Sequence, residues 1–156
     1  MILPINNNFR PQVNLLIAEE WAGPVVVTKG TVHDTSNADG FISVDDGKLT
    51  GYVLYTIENG QCEILVLHSL LENHGIGSSL IKSVIQTAKE NHCKCVWLIT
   101  TNDNTHAIRY YQKFGFELTG VYLNALDESR KLKPSIPQLG NEGIPIKHEF
   151  EFSYFV

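Results

Sequence analysis

The residues of this chain that could do chemistry begin at a pair of glycines. Upstream of Gly75-Ile76-Gly77-Ser78-Ser79 the run Gln61 to His68 has the composition of a strand. Downstream, Ile76, Leu80, Ile81, Val84, Ile85 and Ala88 recur at helical spacing. A helix therefore opens on a Gly-x-Gly shortly after a strand ends. The first N–H groups of a helix have no acceptor inside it, and the helix dipole favours an anion at that end. Glycine lets the backbone approach phosphate oxygens closely, and Ser78 and Ser79 add hydroxyl donors. Asn73-His74-Gly75-Ile76-Gly77-Ser78 is thus a candidate phosphate cradle. Rival nucleotide motifs fail on spacing. A dinucleotide fingerprint needs a third glycine where Leu80 stands, and no lysine is placed for a P-loop.

A second group stands one strand later. Asn104, Ile108 and Tyr111 are spaced four and three apart, so an amide, an apolar side chain and a phenol share one helix face. That helix, Thr105 to Phe114, follows a compact apolar strand, Val96 to Thr100, and is closed by Gly115. Glu63 sits among apolar residues on the strand leading to the glycine turn, where desolvation would raise a carboxyl pKa into the range useful to a base. On the solvated side of a hairpin it would be an ordinary charge, and His68 is the alternative base. His92-Cys93-Lys94-Cys95 has metal-binding residue types. The span is tighter than a Cys-x-x-Cys knuckle and no second ligand pair matches it, so no metal is expected.

Positioning these groups requires a sheet. Pro11 opens a helix carrying Val13, Leu15, Leu16, Ile17 and Trp21, and Gly23-Pro24 stops it. Val25-Val26-Val27 is short and β-prone. Strands over Phe41 to Val44, Leu49 to Glu58 and Gln61 to His68 follow. Asp45-Asp46-Gly47 joins the first two, and Asn59-Gly60, which suits the positive φ angles of a type I′ turn, joins the next. The glycine-turn helix runs to about Asn91. Phe116 to Leu123 is a strand. Asp127 to Pro145 reads as an ordered loop with a helical turn, and His148 to Val156 alternates Phe150, Phe152 and Tyr154 as a closing strand. Strand, helix and strand between residues 61 and 100 demand one parallel pair in an otherwise antiparallel sheet. The predicted class is α/β: one domain, 1–156, with a mixed and mostly antiparallel sheet, one central parallel pair, and helices on both faces.

Composition narrows the partners. Hydrophobic residues at 43% and charged residues at 19% fit a folded soluble chain rather than a disordered one. A net charge of −5 with no basic block argues against nucleic acid. No apolar run approaches the ~20 residues of a membrane helix, and Met1 to Arg10 lacks the pattern of a signal peptide. The three cysteines, Cys62, Cys93 and Cys95, suit reduced thiols and a cytoplasmic location.

Together the two groups resemble the motifs of the GNAT superfamily of acetyl-CoA-dependent N-acetyltransferases. Glu72-Asn73-His74-Gly75-Ile76-Gly77 stands where the family carries Gln/Arg-x-x-Gly-x-Gly/Ala. Asn104, Ala107, Tyr111, Gly115 and Phe116 match its Asn-x-x-Ala pattern followed by Tyr-x-x-x-Gly-Phe. The likeness is specific from Phe41 to Leu123, and element order extends it to the C-terminus. The first 40 residues are short for the family's usual first strand and helix. Glu72 departs from the pattern. A carboxylate would repel pyrophosphate, so its side chain is expected in solvent.

The resemblance implies acetyl-CoA as cosubstrate, its pyrophosphate on the backbone N–H groups of Asn73 to Ser78. It implies a β-bulge at Leu65 to Leu67 whose N–H, that of Leu67 foremost, holds the acetyl carbonyl as oxyanion donor. The bulge would splay this strand from Val96–Thr100 and admit the pantetheine arm, which Asn104 would hydrogen-bond. Tyr111, with an ordinary phenol pKa of ~10, would protonate the leaving thiolate. Tyr110 is expected to face elsewhere, into the core. The implied partner is a small-molecule or peptide primary amine. The proline-pinned loop could wall its site: Glu149 would suit a cationic acceptor, Arg130 or Lys133 an acidic one, and the sequence leaves both open. It also leaves open a longer acyl group, a non-catalytic acyl-CoA sensor, and a structural module whose terminal aromatic strand pairs with another copy in a homodimer.

Overall fold

Asn59 and Gly60 set the register of the central hairpin. Both hold left-handed φ angles, 53° and 72°, as a type I′ turn requires. The computed structural model describes residues 1–156. Its elements run β1 (Ile2–Pro4), α1 (Arg10–Trp21), β2 (Val25–Thr28), β3 (Thr31–Asp34), β4 (Asp39–Asp45), β5 (Lys48–Glu58), β6 (Gln61–Ser69), α2 (Ile76–Glu90), β7 (Cys95–Thr101), α3 (Thr105–Phe114), β8 (Glu117–Tyr122), α4 (Ala125–Leu132) and β9 (Glu149–Phe155). Seven strands form one sheet in the order β1-β4-β5-β6-β7-β9-β8, and β2 and β3 form a separate hairpin. Only β6 and β7 are parallel, because α2 carries the chain back between them.

Two cores pack on the sheet's opposite faces. Alternation along β6 sends Cys62 and Ile64 to the face covered by α2, where Leu80, Ile81, Val84, Ile85 and Ala88 bury the apolar stripe of that helix together with Tyr111 and Phe152. On the other face Val13 and Ile17 of α1 pack with Val26, Ile42, Tyr52 and Leu54. The alternation then breaks. Leu54 pairs with Val66 and Tyr55 with Ile64, which leaves Leu65 as an extra residue on β6. Leu65 and Val66 consequently both turn to the α1 face, and Leu67 returns to the α2 face. At the same point the pairing of β6 with β7 ends, its last pair being Ile64 with Leu98. Beyond it the two strands part.

The structure adds elements that the sequence pattern does not display. β1 is three residues long and lies along β4, too short to show a period, so the N-terminal strand and helix are present in compressed form. β2 and β3 turn at Lys29-Gly30, both with positive φ; lysine is not a residue that announces such a turn. α4 occupies part of the stretch read as a loop, where the nearby Pro134 masks its helical end. The terminal strand differs in kind. β9 lies between β7 and β8 with both edges paired, so it cannot add to a second copy. The free edges belong to β1 and β8.

Where β5 passes under α2, Gly51 leaves no room for a side chain. A Cβ there would stand 2.7 Å from Cγ2 of Ile76, 3.0 Å from the His68 carbonyl and 3.3 Å from Cδ1 of Leu80. Gly51→Ala is expected to cost about 1–3 kcal/mol, read in thermal melts as roughly 2–4 °C per kcal/mol for a domain of this size. An unchanged melting temperature would mean that the first turn of α2 is not held against β5.

Candidate active site

The first turn of α2 is a set of unused donors. Gly75 precedes it in the left-handed region at φ 69°, and no acceptor within the chain takes the N–H groups of Gly75, Ile76, Gly77 or Ser78; intrahelical bonding starts with Ser79 N–H to the Gly75 carbonyl at 3.0 Å. Asn73, His74 and Gly75 are exposed, as is Glu72. Exposed donors at a helix start present partial positive charge to an anion. The Ser78 hydroxyl lies 2.7 Å from the phenol of Tyr110. Tyr110 therefore does not end in the core as its position suggested. Its ring packs there, but its hydroxyl reaches the cradle and ties α2 to α3. Gly77 permits this, since a Cβ would lie 3.2 Å from the same hydroxyl.

The parting of β6 and β7 opens a cavity of about 340 Å³. Ile64, Leu98 and Tyr111 line it from the α2 face, and Val66, Val26 and Thr28 from the α1 face, so the space reaches both sides of the sheet. Leu65, Leu67 and Asn104 also line it. Four of the predicted residues, Leu65, Leu67, Asn104 and Tyr111, thus border one space. Asn104 caps α3, its Oδ1 accepting from Ala107 N–H at 3.4 Å, which leaves its amide donors free. The Tyr111 ring is gripped edge-on by Phe116 and Tyr110. Burial drives its phenol pKa well above the ordinary value, with Tyr110 adding to the shift, so it holds its proton through neutral pH.

Glu63 is buried on the α1 face beneath the tip of the β2–β3 hairpin, behind the cavity wall rather than in it. Its Oε2 accepts from the Thr28 hydroxyl at 2.7 Å, and Nε2 of His33 lies 3.0 Å from that hydroxyl and 3.5 Å from Oε1. Burial pushes Glu63 up to about 7, against the Thr28 bond and Lys29, which pull it down. Burial also lowers His33, which keeps that ring neutral. Thr28 lines the cavity, so its hydroxyl links the space to the carboxylate. His68 stacks on Tyr52 with ring centroids 5.7 Å apart and does not line the cavity.

Beyond these, residues of the hairpin tip and of the C-terminal loop complete the surroundings. Glu149 does line the cavity, buried, with Oε1 accepting from Lys29 N–H at 3.2 Å. The Lys29 ammonium pairs with Glu151 at 2.9 Å and lies over the rings of Trp97 and Tyr122. Lys133 crosses to the end of α1, where its ammonium donates to the carbonyls of Trp21 and Val25. Arg130 donates to the carbonyls of Pro137 and Ile146 at 2.8 and 2.6 Å. Asp103 takes both the backbone and side-chain N–H of Asn141 at 3.0 and 3.1 Å, and Asn102 Oδ1 takes the N–H groups of Lys147 and His148. The proline-pinned loop is thereby strapped down as a cavity wall. Asn102 and Asp103 follow β7 as ordinary turn residues, and only the fold gives them this task.

Comparison with known proteins identifies the family. The profile of the acetyltransferase (GNAT) family matches residues 12–116. The Bacillus subtilis protein YdhI, uncharacterised, is 38% identical over 154 residues, which cover 98% of this chain and 96% of that one. The spermine/spermidine N(1)-acetyltransferase of the same organism is 30% identical over 86 residues, 48% of this chain and 57% of the relative. Among solved structures, a GNAT family acetyltransferase from Elizabethkingia anophelis with acetyl-CoA bound superposes with a TM-score of 0.75 at 19% identity, over 100% of this chain and 97% of its own. The chain belongs to the GNAT family and is an acetyl-CoA-dependent acyltransferase.

The Tyr110–Ser78 contact predicts a measurable effect. Tyr110→Phe removes one hydrogen bond worth about 0.5–1.5 kcal/mol, so the dissociation constant of CoA, measured calorimetrically, is expected to rise roughly 2–10-fold with little change in turnover. An unchanged constant would make the contact irrelevant to the cradle.

Proposed function

We propose that the protein transfers the acetyl group of acetyl-CoA to a primary amine by direct attack, inside the gap between β6 and β7, with the whole chain, 1–156, acting as one domain. The observation that carries this reading is the cavity reaching both faces of the sheet, with Tyr111 on one side and Thr28 on the other. The pyrophosphate would rest on the N–H groups from Asn73 through His74, Gly75, Ile76 and Gly77 to Ser78. The pantetheine arm would follow β6 past Asn104, and the thioester carbonyl would meet the backbone N–H of the bulge, that of Leu67 or its neighbour Leu65. Three buried free cysteines support a cytoplasmic setting.

The acceptor would enter from the α1 face as an ammonium, because an alkylamine is mostly protonated at neutral pH. Glu63 would take one proton through the Thr28 hydroxyl. The freed amine attacks the carbonyl carbon, and charge builds on the oxygen held by the bulge. As the C–S bond breaks, the Tyr111 phenol gives its proton to the thiolate. The second proton lost from nitrogen, released on forming the amide, restores the phenol through solvent. No metal enters these steps. Glu63 is matched to its part, since a carboxyl near 7 divides between its two forms at working pH.

Thermal melting tests the cosubstrate. Acetyl-CoA at about 100 times its dissociation constant is expected to add ~2.7 kcal/mol, while ATP and NAD add nothing. A shift with ATP or NAD and none with acetyl-CoA would sink the reading. Tyr111→Phe is expected to lose roughly 10²–10⁴ in kcat while binding CoA as the parent does. For Glu63 the sign follows from its role. A base works deprotonated, so kcat/KM falls as pH drops through about 7. Glu63→Gln is expected to lower the rate and to erase that acidic limb, and a profile with the limb intact would remove Glu63 as base.

A further inference from the structure

The sequence leaves two opposite acceptors open, one met by Glu149 and one by Arg130 or Lys133. The structure treats these three residues very differently. Both candidate cations are turned to backbone carbonyls. The Lys133 ammonium donates to those of Trp21 and Val25, and Arg130, which does not line the cavity, gives one guanidinium nitrogen to those of Pro137 and Ile146. They are struts, and an acidic acceptor would find no free cation among them. Glu149 is 2% exposed, lines the cavity, and uses only Oε1 within the protein; Oε2 takes no donor from the chain. A buried carboxylate with an unclaimed oxygen on a cavity calls for a cation.

The rest of the wall limits what that cation can carry. Trp21, Val26, Leu126, Ile136 and Ile146 give the acceptor side an apolar lining, and the strapped loop closes it. The only other carboxylate on the lining is Glu20, exposed at the end of α1. A second ammonium brought into the cavity would find no further buried carboxylate, and a peptide would lay its amides on a wall whose polar groups are few: Thr28, Thr100, Thr101, Asn104 and Ser135.

We propose that the acceptor is a compact monoamine with an apolar alkyl or aryl body, held as its ammonium by the free oxygen of Glu149. This deepens the acetyl-transfer reading and rests on it. Glu149 binds and orients the nitrogen, and Glu63, behind Thr28, takes the proton.

The test is steady-state kinetics of the full chain with acetyl-CoA and four acceptors: phenethylamine, hexylamine, spermidine and a short peptide with a free N-terminus. The first two are expected to exceed the others in kcat/KM by about tenfold or more, since one uncompensated buried charge costs over 1.4 kcal/mol. Glu149→Gln, which keeps the size of the side chain, is expected to raise the KM of phenethylamine roughly tenfold or more, as loss of a charged hydrogen bond does. Its kcat should stay within about threefold, and its melting shift with acetyl-CoA should match the parent's, which reports an intact fold. Preference for spermidine or the peptide overturns the proposal. So does silence from both monoamines while acetyl-CoA still binds, or a Glu149→Gln variant that loses kcat at constant KM. Absence of any acetyl-CoA shift, with no amine turned over, is the separate failure of the acetyl-transfer reading and takes this one with it.

Discussion

One extra residue on one strand governs the site. A parallel pair of strands at the centre of a sheet normally closes the sheet along its whole length. Here Leu65 is inserted into β6 without a partner, the strand bends, and hydrogen bonding to β7 stops after Ile64 and Leu98. Three consequences follow from that single insertion. The backbone beyond it is released from ladder bonds on one side. The alternation of side chains is reset, so that Leu65 and Val66 face one core and Leu67 the other. A cavity opens through the sheet, where thioester and amine could meet from opposite faces. The neighbouring strands make the defect affordable. β5 keeps its pairing with β6 on the far side of the bulge, and β9 ties β7 along seven residues.

The two halves of the site are then held by different means. On the α2 face, order comes from apolar packing: the amphipathic stripe of α2 and the aromatic group of Tyr111, Phe116 and Phe152. A rigid phenol and a fixed helix start are what such packing yields. On the α1 face, order comes from polar contacts laid over thinner packing. The hairpin tip is pinned through Thr28 to Glu63 and through Lys29 to Glu149 and Glu151. That side concentrates carboxylates in a region of low polarity, and it is there that burial raises Glu63 and Glu149 above their ordinary range.

Legibility in the sequence followed the range of the interaction. The glycine turn, the hairpin at Asn59-Gly60 and the face shared by Asn104 and Tyr111 are local, and spacing alone exposes them. The parallel pair follows from strand, helix and strand in succession. What escaped depends on partners far along the chain. The run around Glu63 fits either a buried carboxyl or a solvated charge, and its burial behind Thr28 depends on a residue 35 positions away. Tyr110 has the position of a core residue beside Tyr111, and only its contact 32 residues back reveals its second end. Lys133 and Arg130 are charged residues in a polar stretch, and nothing local distinguishes a strut from a ligand-binding cation. The interior place of β9 could not follow from its aromatic alternation, which an edge strand would share.

The straps at Asn102 and Asp103 have a consequence for how such an enzyme diversifies. The loop they hold carries cavity-lining residues such as Ile136 and Pro137, yet it is fastened to them chiefly through its own backbone and Asn141. Anchorage by main chain is indifferent to side chains. Lining residues that fasten nothing, Ile136 among them, can therefore change while the path stays fixed by the backbone and by Arg130, Lys133 and Asn141. The lining of the cavity and the helix start of α2 are in this sense separate inheritances, and one short segment can drift while the other keeps its geometry.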